Sequence, residues 1–195
     1  MKKYISIVAA LSILLLSCDE EPLDRTIFIP DEDNRQLPAY TEWGYNSFGA
    51  TYEREIFIST NQIVPCKIVY NNGILDFALI GQLNWDNTVL TFSFPLSEEI
   101  KNIGDLAVLH DLSLDLSKNC TVKLEANNAQ TTFEVLSGKL YFRRFQLLRV
   151  DGEVNRIILS GTFNVKFLKN GRPETILDGR FDMGITEKDF YSYTN

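Results

Sequence analysis

Between Ile157 and Phe167, the residues Ile157, Leu159, Gly161, Phe163, Val165 and Phe167 alternate with Ile158, Ser160, Thr162, Asn164 and Lys166. A period of two sets the two groups on opposite faces of a pleated strand, one packed inward and the other largely wet. Strand patterns cover Phe48 to Tyr52, Glu55 to Ile58, Val64 to Tyr70, Ile74 to Leu83, Thr88 to Phe94, Cys120 to Ala126, Thr132 to Leu136, Lys139 to Val150, Asn155 to Leu168 and Glu174 to Ile185. Turn chemistry separates them at Asn71-Asn72-Gly73, Asp86-Asn87, Asp151-Gly152 and Asn170-Gly171. The pattern predicts an all-β fold, an antiparallel meander forming a β-sandwich or flattened barrel. One short helix is expected from Ser97 to Asn102, where a Ser cap precedes Glu98 and Glu99 and where Ile100 and Ile103 stand at helical spacing. From Asp105 to Leu116 the alternation is ambiguous and reads as loop with room for a short strand.

The amino-terminal end follows a different logic. Lys2 and Lys3 precede an apolar run from Ile5 to Leu16, which ends in Leu15-Leu16-Ser17-Cys18. That run falls short of the roughly twenty apolar residues of a spanning helix but suits a secretory signal. A cysteine after Leu-Leu-Ser is the acceptor of a bacterial lipoprotein, where the thiol receives a diacylglycerol thioether and the peptide before it is removed. The expected organisation is a signal peptide over 1–17, a lipidated Cys18 with an acidic tether over 18–42, and a single β domain over 43–195. The tether reading rests on Asp19, Glu20, Glu21, Asp24, Asp31, Glu32 and Asp33, with Pro22, Pro30 and Pro38 interrupting regular structure. Thr26 to Pro30 is apolar enough to add an edge strand.

Loss of Lys2 and Lys3 with the signal takes the formal charge from −7 to −9. Such a surface repels phosphate backbones, so nucleic acid is not an expected partner; the membrane is, through the acyl chains on Cys18. Export through an oxidising compartment allows Cys66 and Cys120 to form a disulfide, and two small buried thiols are an equal reading.

Catalytic and metal chemistry are poorly supplied. His110 is the single histidine, no Cys or His pair stands at ligand spacing, and no Gly-rich phosphate loop follows a strand, so no metal and no cofactor are expected. Paired carboxylates are the one enzymatic option, because glycoside hydrolysis needs two acids about 5–9.5 Å apart. Asp178 and Asp182, like Asp111 and Asp115, are four apart, which on a strand is about 13 Å. The plainer account pairs Arg180 with Asp182 on one face. Binding chemistry is better represented. Trp85 beside Asp86 and Asn87 in a turn, and Trp43 among the aromatics at the domain's start, are candidates for stacking on sugar rings. Arg143, Arg144, Arg149 and Arg156 could form one basic strip across the Asp151-Gly152 hairpin, with Arg143 and Arg144 the candidate contacts for an acidic ligand.

The acidic triplet after Cys18, the run from Leu37-Pro38-Ala39-Tyr40-Thr41 to Asn46-Ser47-Phe48-Gly49-Ala50, and the closing Leu159-Ser160-Gly161-Thr162-Phe163 and Asp178-Gly179-Arg180-Phe181-Asp182 resemble a family of surface lipoproteins of Bacteroides-type bacteria whose domain has no assigned activity. The resemblance implies an antiparallel β domain, lipid-anchored to the outer membrane and facing the exterior. Where that family often has a Cys after the first Phe-Gly, this chain has Ala50, so no disulfide is carried over. The expected function is a non-catalytic binding or structural module with a glycan or envelope protein as partner. The alternatives are a small surface glycoside hydrolase and a lipocalin-like carrier of an apolar ligand.

Overall fold

The computed structural model describes residues 25–60, 65–127 and 129–193. The signal peptide, Cys18 and the first residues of the expected tether lie outside that set. Among the described residues twelve strands form one sheet. They are β1 (Ser47–Tyr52), β2 (Glu55–Ile58), β3 (Cys66–Asn71), β4 (Ile74–Leu83), β5 (Asp86–Pro95), β6 (Leu112–Asp115), β7 (Thr121–Ala126), β8 (Ala129–Thr132), β9 (Glu134–Val150), β10 (Glu153–Lys169), β11 (Arg172–Ile185) and β12 (Phe190–Tyr193). Their order is β6-β9-β10-β11-β1-β2-β4-β5-β7-β8, with β3 pairing β4 and β12 adding to β3 in parallel. All other pairings are antiparallel. The sheet does not close into a barrel.

Its two halves nonetheless face each other. Phe77 on β4 meets Phe142 on β9 and Phe181 on β11 at 5.2 and 4.9 Å between ring centroids, and Phe92 on β5 meets Phe163 on β10 at 5.2 Å. Strands remote in sheet order therefore share one core, the sandwich-like outcome that the alternating pattern implies. Asn72-Gly73, Asp151-Gly152 and Asn170-Gly171 all have positive φ at both positions, the geometry that two-residue hairpins demand. The β4–β5 turn differs from expectation. Asn84 and Trp85 form it, at φ of 52° and 71°, while Asp86 and Asn87 belong to β5 and pair with Leu83 and Gln82.

The expected helix over Ser97 to Asn102 does not form. A 3₁₀ helix runs instead over Ile103–Leu109, and Asn102 is its cap. The Asn102 side chain accepts from Gly104 N at 2.8 Å, and the Asp105 carboxylate accepts from Asn102 N at 3.0 Å. Ile100, Ile103, Leu106 and Leu109 are all buried, and their spacing of three matches the three-residue turn of a 3₁₀ helix better than the 3.6 of an α-helix.

The tether expectation also fails for its described part. From Thr26 onward the segment is a strap laid over the sheet. Ile27 N donates to Tyr45 O at 2.8 Å, Ala39 N to Ile29 O at 2.7 Å, and Arg180 on β11 holds Asp31 at 2.6 Å. Leu37 is fully buried, and a Cβ at Gly49 would sit 2.4 Å from Pro38, so β1 needs glycine there to accept the strap. Composition suggested a spacer, but Pro38, which looked like an interruption, and its neighbour Leu37 are its points of attachment.

Cys66 and Cys120 are free thiols and no disulfide links them. β3 and β7 are separated by β4 and β5, a lateral offset of about 14 Å at the usual strand spacing, twice the Cα separation a disulfide tolerates. Burial pushes the Cys66 thiol well above its ordinary value and raises Cys120 as well, which leaves both as poor nucleophiles.

Candidate functional site

Two adjacent residues on a regular strand point to opposite faces, so Arg143 and Arg144 could not ordinarily serve one site. β9 breaks the rule with a bulge. Phe142 pairs with Gly161 and Arg144 with Ser160, adjacent partners on β10, so Arg143 is the extra residue and the alternation is reset. Leu140 and Phe142 point inward before the bulge, and Phe145 and Leu147 pack against the core after it. Tyr141, Arg143, Arg144 and Gln146 thereby share the outer face.

The strap supplies the opposite wall, and Asp182 on β11 shapes it. This carboxylate is 1% exposed and accepts from Thr41 Oγ1 at 2.5 Å, Trp43 N at 3.0 Å, Gly44 N at 2.7 Å and Tyr45 N at 3.3 Å. Three successive backbone donors in a loop with no strand partner thus converge on one buried side chain. Asn46 extends the clamp by accepting from Gly184 N at 2.9 Å. The result fixes Glu42 above the arginines, with Oε1 at 3.5 Å from Arg143 Nε and Oε2 at 3.1 Å from Arg144 NH1. Trp43, pinned only through its backbone, leaves its indole 72% exposed.

Between these walls lie two adjoining depressions of about 410 and 320 Å³. Tyr40, Thr41 and Trp43 line the first, His110 and Phe145 the second, and Glu42, Arg143, Arg144 and Gln146 both, so they form one open groove. His110 Nδ1 accepts from Phe145 N at 3.2 Å, where the β6–β9 ladder has ended at Phe142. With Nδ1 accepting, a neutral His110 ring would carry its proton on Nε2. The formal charge of the lining is a single positive one on an otherwise acidic chain, because Glu42 offsets one of the two arginines.

Partial burial opposes ionisation of Glu42, but hydrogen bonds from Tyr40 and Arg144 and the charges of both arginines outweigh it and hold its carboxyl below the usual glutamate value. A general acid needs the reverse shift. Tyr40, whose hydroxyl donates to Glu42 Oε1 at 2.9 Å, is pushed up to about 12, chiefly by burial, with the contact to Ser160 opposing and the bond to Glu42 reinforcing. Burial and the Glu174 carboxylate raise the Tyr52 phenol too. The sign follows from which form the fold favours. These phenols stabilise the folded state fully below the ordinary value of 10, and that contribution is lost as pH rises from there towards 12. Ultraviolet titration should therefore show a late-ionising class of tyrosines, with melting temperature falling across the same interval and less steeply in Tyr40→Phe. A single ordinary phenol class near pH 10 would contradict it.

The structure unites Trp43, Arg143 and Arg144, and adds Tyr40, Glu42, Gln146 and His110, which sequence reasoning had not grouped. It does not unite the others. Trp85 is 89% exposed at the β4–β5 tip, and neither it nor Asp86 nor Asn87 lines the groove. The four-arginine strip also dissolves. Arg149 donates to Gly152 O at 3.0 Å at the hairpin end, and Arg156 is buried across Gly184. Arg180 pairs with Asp31 rather than with Asp182. Of the carboxylate pairs, Asp178 sits at a bulge at φ 54° while Asp182 is enclosed by the strap. Asp111 accepts from the Tyr141 hydroxyl, and Asp115 is held to about 2 by hydrogen bonds from Ser117 and Lys118. Compared with protein-family models, with curated proteins and with solved structures, the chain matches none of them.

Proposed function

We propose that the protein is a non-catalytic binding module, displayed on the outer face of a bacterial outer membrane by acyl chains on Cys18, with a glycan as its ligand. The observation that carries the reading is the exposed side chain of Trp43, its backbone held by Asp182, in one groove with the guanidinium groups of Arg143 and Arg144 and the amide of Gln146. Sugar C–H faces stack on indoles, and the surrounding N–H groups and carbonyl oxygens bind hydroxyls. An open groove accepts a chain lying along it, whereas enclosed pockets take small molecules. Glu42 is the one carboxylate among the lining residues, and a glycosidase needs two. Phenyl rings from β4, β5, β9, β10 and β11 occupy the interior that a lipocalin-like carrier would keep for its cargo.

The anchor half of the proposal rests on the Leu15-Leu16-Ser17-Cys18 motif and on the resemblance to Bacteroides-type surface lipoproteins. Seven residues separate Cys18 from the strap at Thr26 and reach at most about 25 Å, so the domain would ride close to the headgroups with Ile27, Phe28 and Ile29 exposed near them. A glycan array probed with the purified domain tests the ligand. Trp43→Ala should weaken the signal about tenfold or more, as loss of a central aromatic contact does, and Trp85→Ala should leave it intact. Silence on every glycan, or dependence on Trp85 alone, would reject the groove. Mass spectrometry of the membrane fraction should find the thioether on Cys18, and an unmodified thiol still joined to its leader would reject the anchor.

A further inference from the structure

We infer that the Arg143–Arg144 pair is a seat for the carboxylate of an acidic sugar, and that Glu42 occupies this seat when the groove is empty. The inference rests on the glycan-binding reading and adds the chemical class of the ligand.

Both arginines have partners other than Glu42. Arg144 NH2 donates to Gln146 Oε1 at 3.0 Å, and Arg143 lies over the Tyr40 ring at 5.6 Å. Each guanidinium therefore has a contact besides the strap carboxylate. Glu42 accepts from Tyr40 at 2.9 Å and from Arg144 at 3.1 Å, but its hold on the pair is uneven. Its approach to Arg143 is 3.5 Å, beyond the usual length of a charge-assisted hydrogen bond, and the two arginine side chains are 61% and 46% exposed. The arginine ends of both pairs lie in solvent, where an ion pair contributes little, so another carboxylate can replace Glu42 there at small cost.

The geometry also argues against an uncharged ligand. The bulge in β9 is what brings two consecutive guanidinium groups to one face, and a neutral sugar would cover them while gaining little from their charge. A uronate or sialate instead brings the planar, bidentate acceptor that arginine matches best, with its ring directed to Trp43 on the opposite wall of the groove. Binding is then an exchange in which Glu42 turns out to solvent and the ligand carboxylate takes its place.

The experiment is an array bearing uronate- and sialate-containing glycans beside their carboxyl-reduced counterparts, followed by calorimetry on the strongest binder. The wild type should favour the acid over its reduced form by about tenfold, the ratio typical of one charged contact. Arg143→Ala/Arg144→Ala should lose that preference while melting as the wild type does, since both side chains are exposed. Glu42→Gln keeps an acceptor for Tyr40 but removes the competing charge, and should raise the preference for the acidic ligand over its carboxyl-reduced form about fivefold above that of the wild type. Equal binding of acid and reduced forms, or a preference that survives the double substitution, overturns the seat. If Trp43→Ala still weakens that binding, the glycan reading stands without it, and absence of any glycan signal overturns both.

Discussion

Asp182→Ala should cost the domain about 3–5 kcal/mol, the loss expected when a buried, multiply hydrogen-bonded carboxylate is removed. The alanine would leave the amides of Trp43, Gly44 and Tyr45 and the hydroxyl of Thr41 without their common acceptor. Each bond to a charged acceptor contributes roughly 1.5–3 kcal/mol, and entering water recovers part of the loss. For a domain of this size the change corresponds to a melting temperature about 10 °C lower. Asp182→Asn should be nearly as harmful, because its NH₂ group would face amides that also donate. The functional consequence is separable from the thermal one. Well below the new melting point the variant should still bind glycan poorly, since Trp43 and Glu42 hang on the loop that Asp182 gathers. The Arg143→Ala/Arg144→Ala variant provides the contrast, with its fold intact and its specificity lost. A melting point within 2 °C of wild type would mean that the strap is held by something other than this carboxylate.

The part of the site that sequence reasoning found, and the part it missed, differ in the range of the interactions that build them. Alternation and Asn-Gly turns are local, and they located β4, β10 and most other strands to within a few residues. The bulge is legible in the apolar pattern as well. Apolar residues at Leu140 and Phe142 resume at Phe145 and Leu147, a shift of phase by one residue that requires an extra residue between them. Ile158 held a similar hint, being a large apolar residue on the face assumed to be wet, and the structure buries it under the strap. The parallel pairing of β12 with β3 and the clamp of Asp182 on the loop about 140 residues earlier have no local period. Composition misled most where it was most lopsided. The acidic, proline-interrupted stretch read as a spacer because its anchoring contacts, Arg180 with Asp31 and Gly49 beneath Pro38, join positions far apart in the chain.

Phe77→Ala tests whether the interior is a packed core or a place for cargo. Phe77 is fully buried at the junction of the two halves, with ring centroids of Phe92, Phe142 and Phe181 at 6.5, 5.2 and 4.9 Å. If those rings are packed to the density of other protein interiors, truncation opens a cavity that the surrounding β-ladders cannot close, and stability should fall by about 3–5 kcal/mol. Phe77→Leu, which keeps most of the volume, should cost appreciably less. The cavity would be lined by Phe92, Phe142 and Phe181 and so should stay dry, and a small aromatic solute such as benzene should recover part of the lost melting temperature. The opposite outcome has a definite meaning. A loss below about 1 kcal/mol, with no response to benzene, would show an interior slack enough to have lodged a ligand already. That would restore the carrier hypothesis and demote the groove.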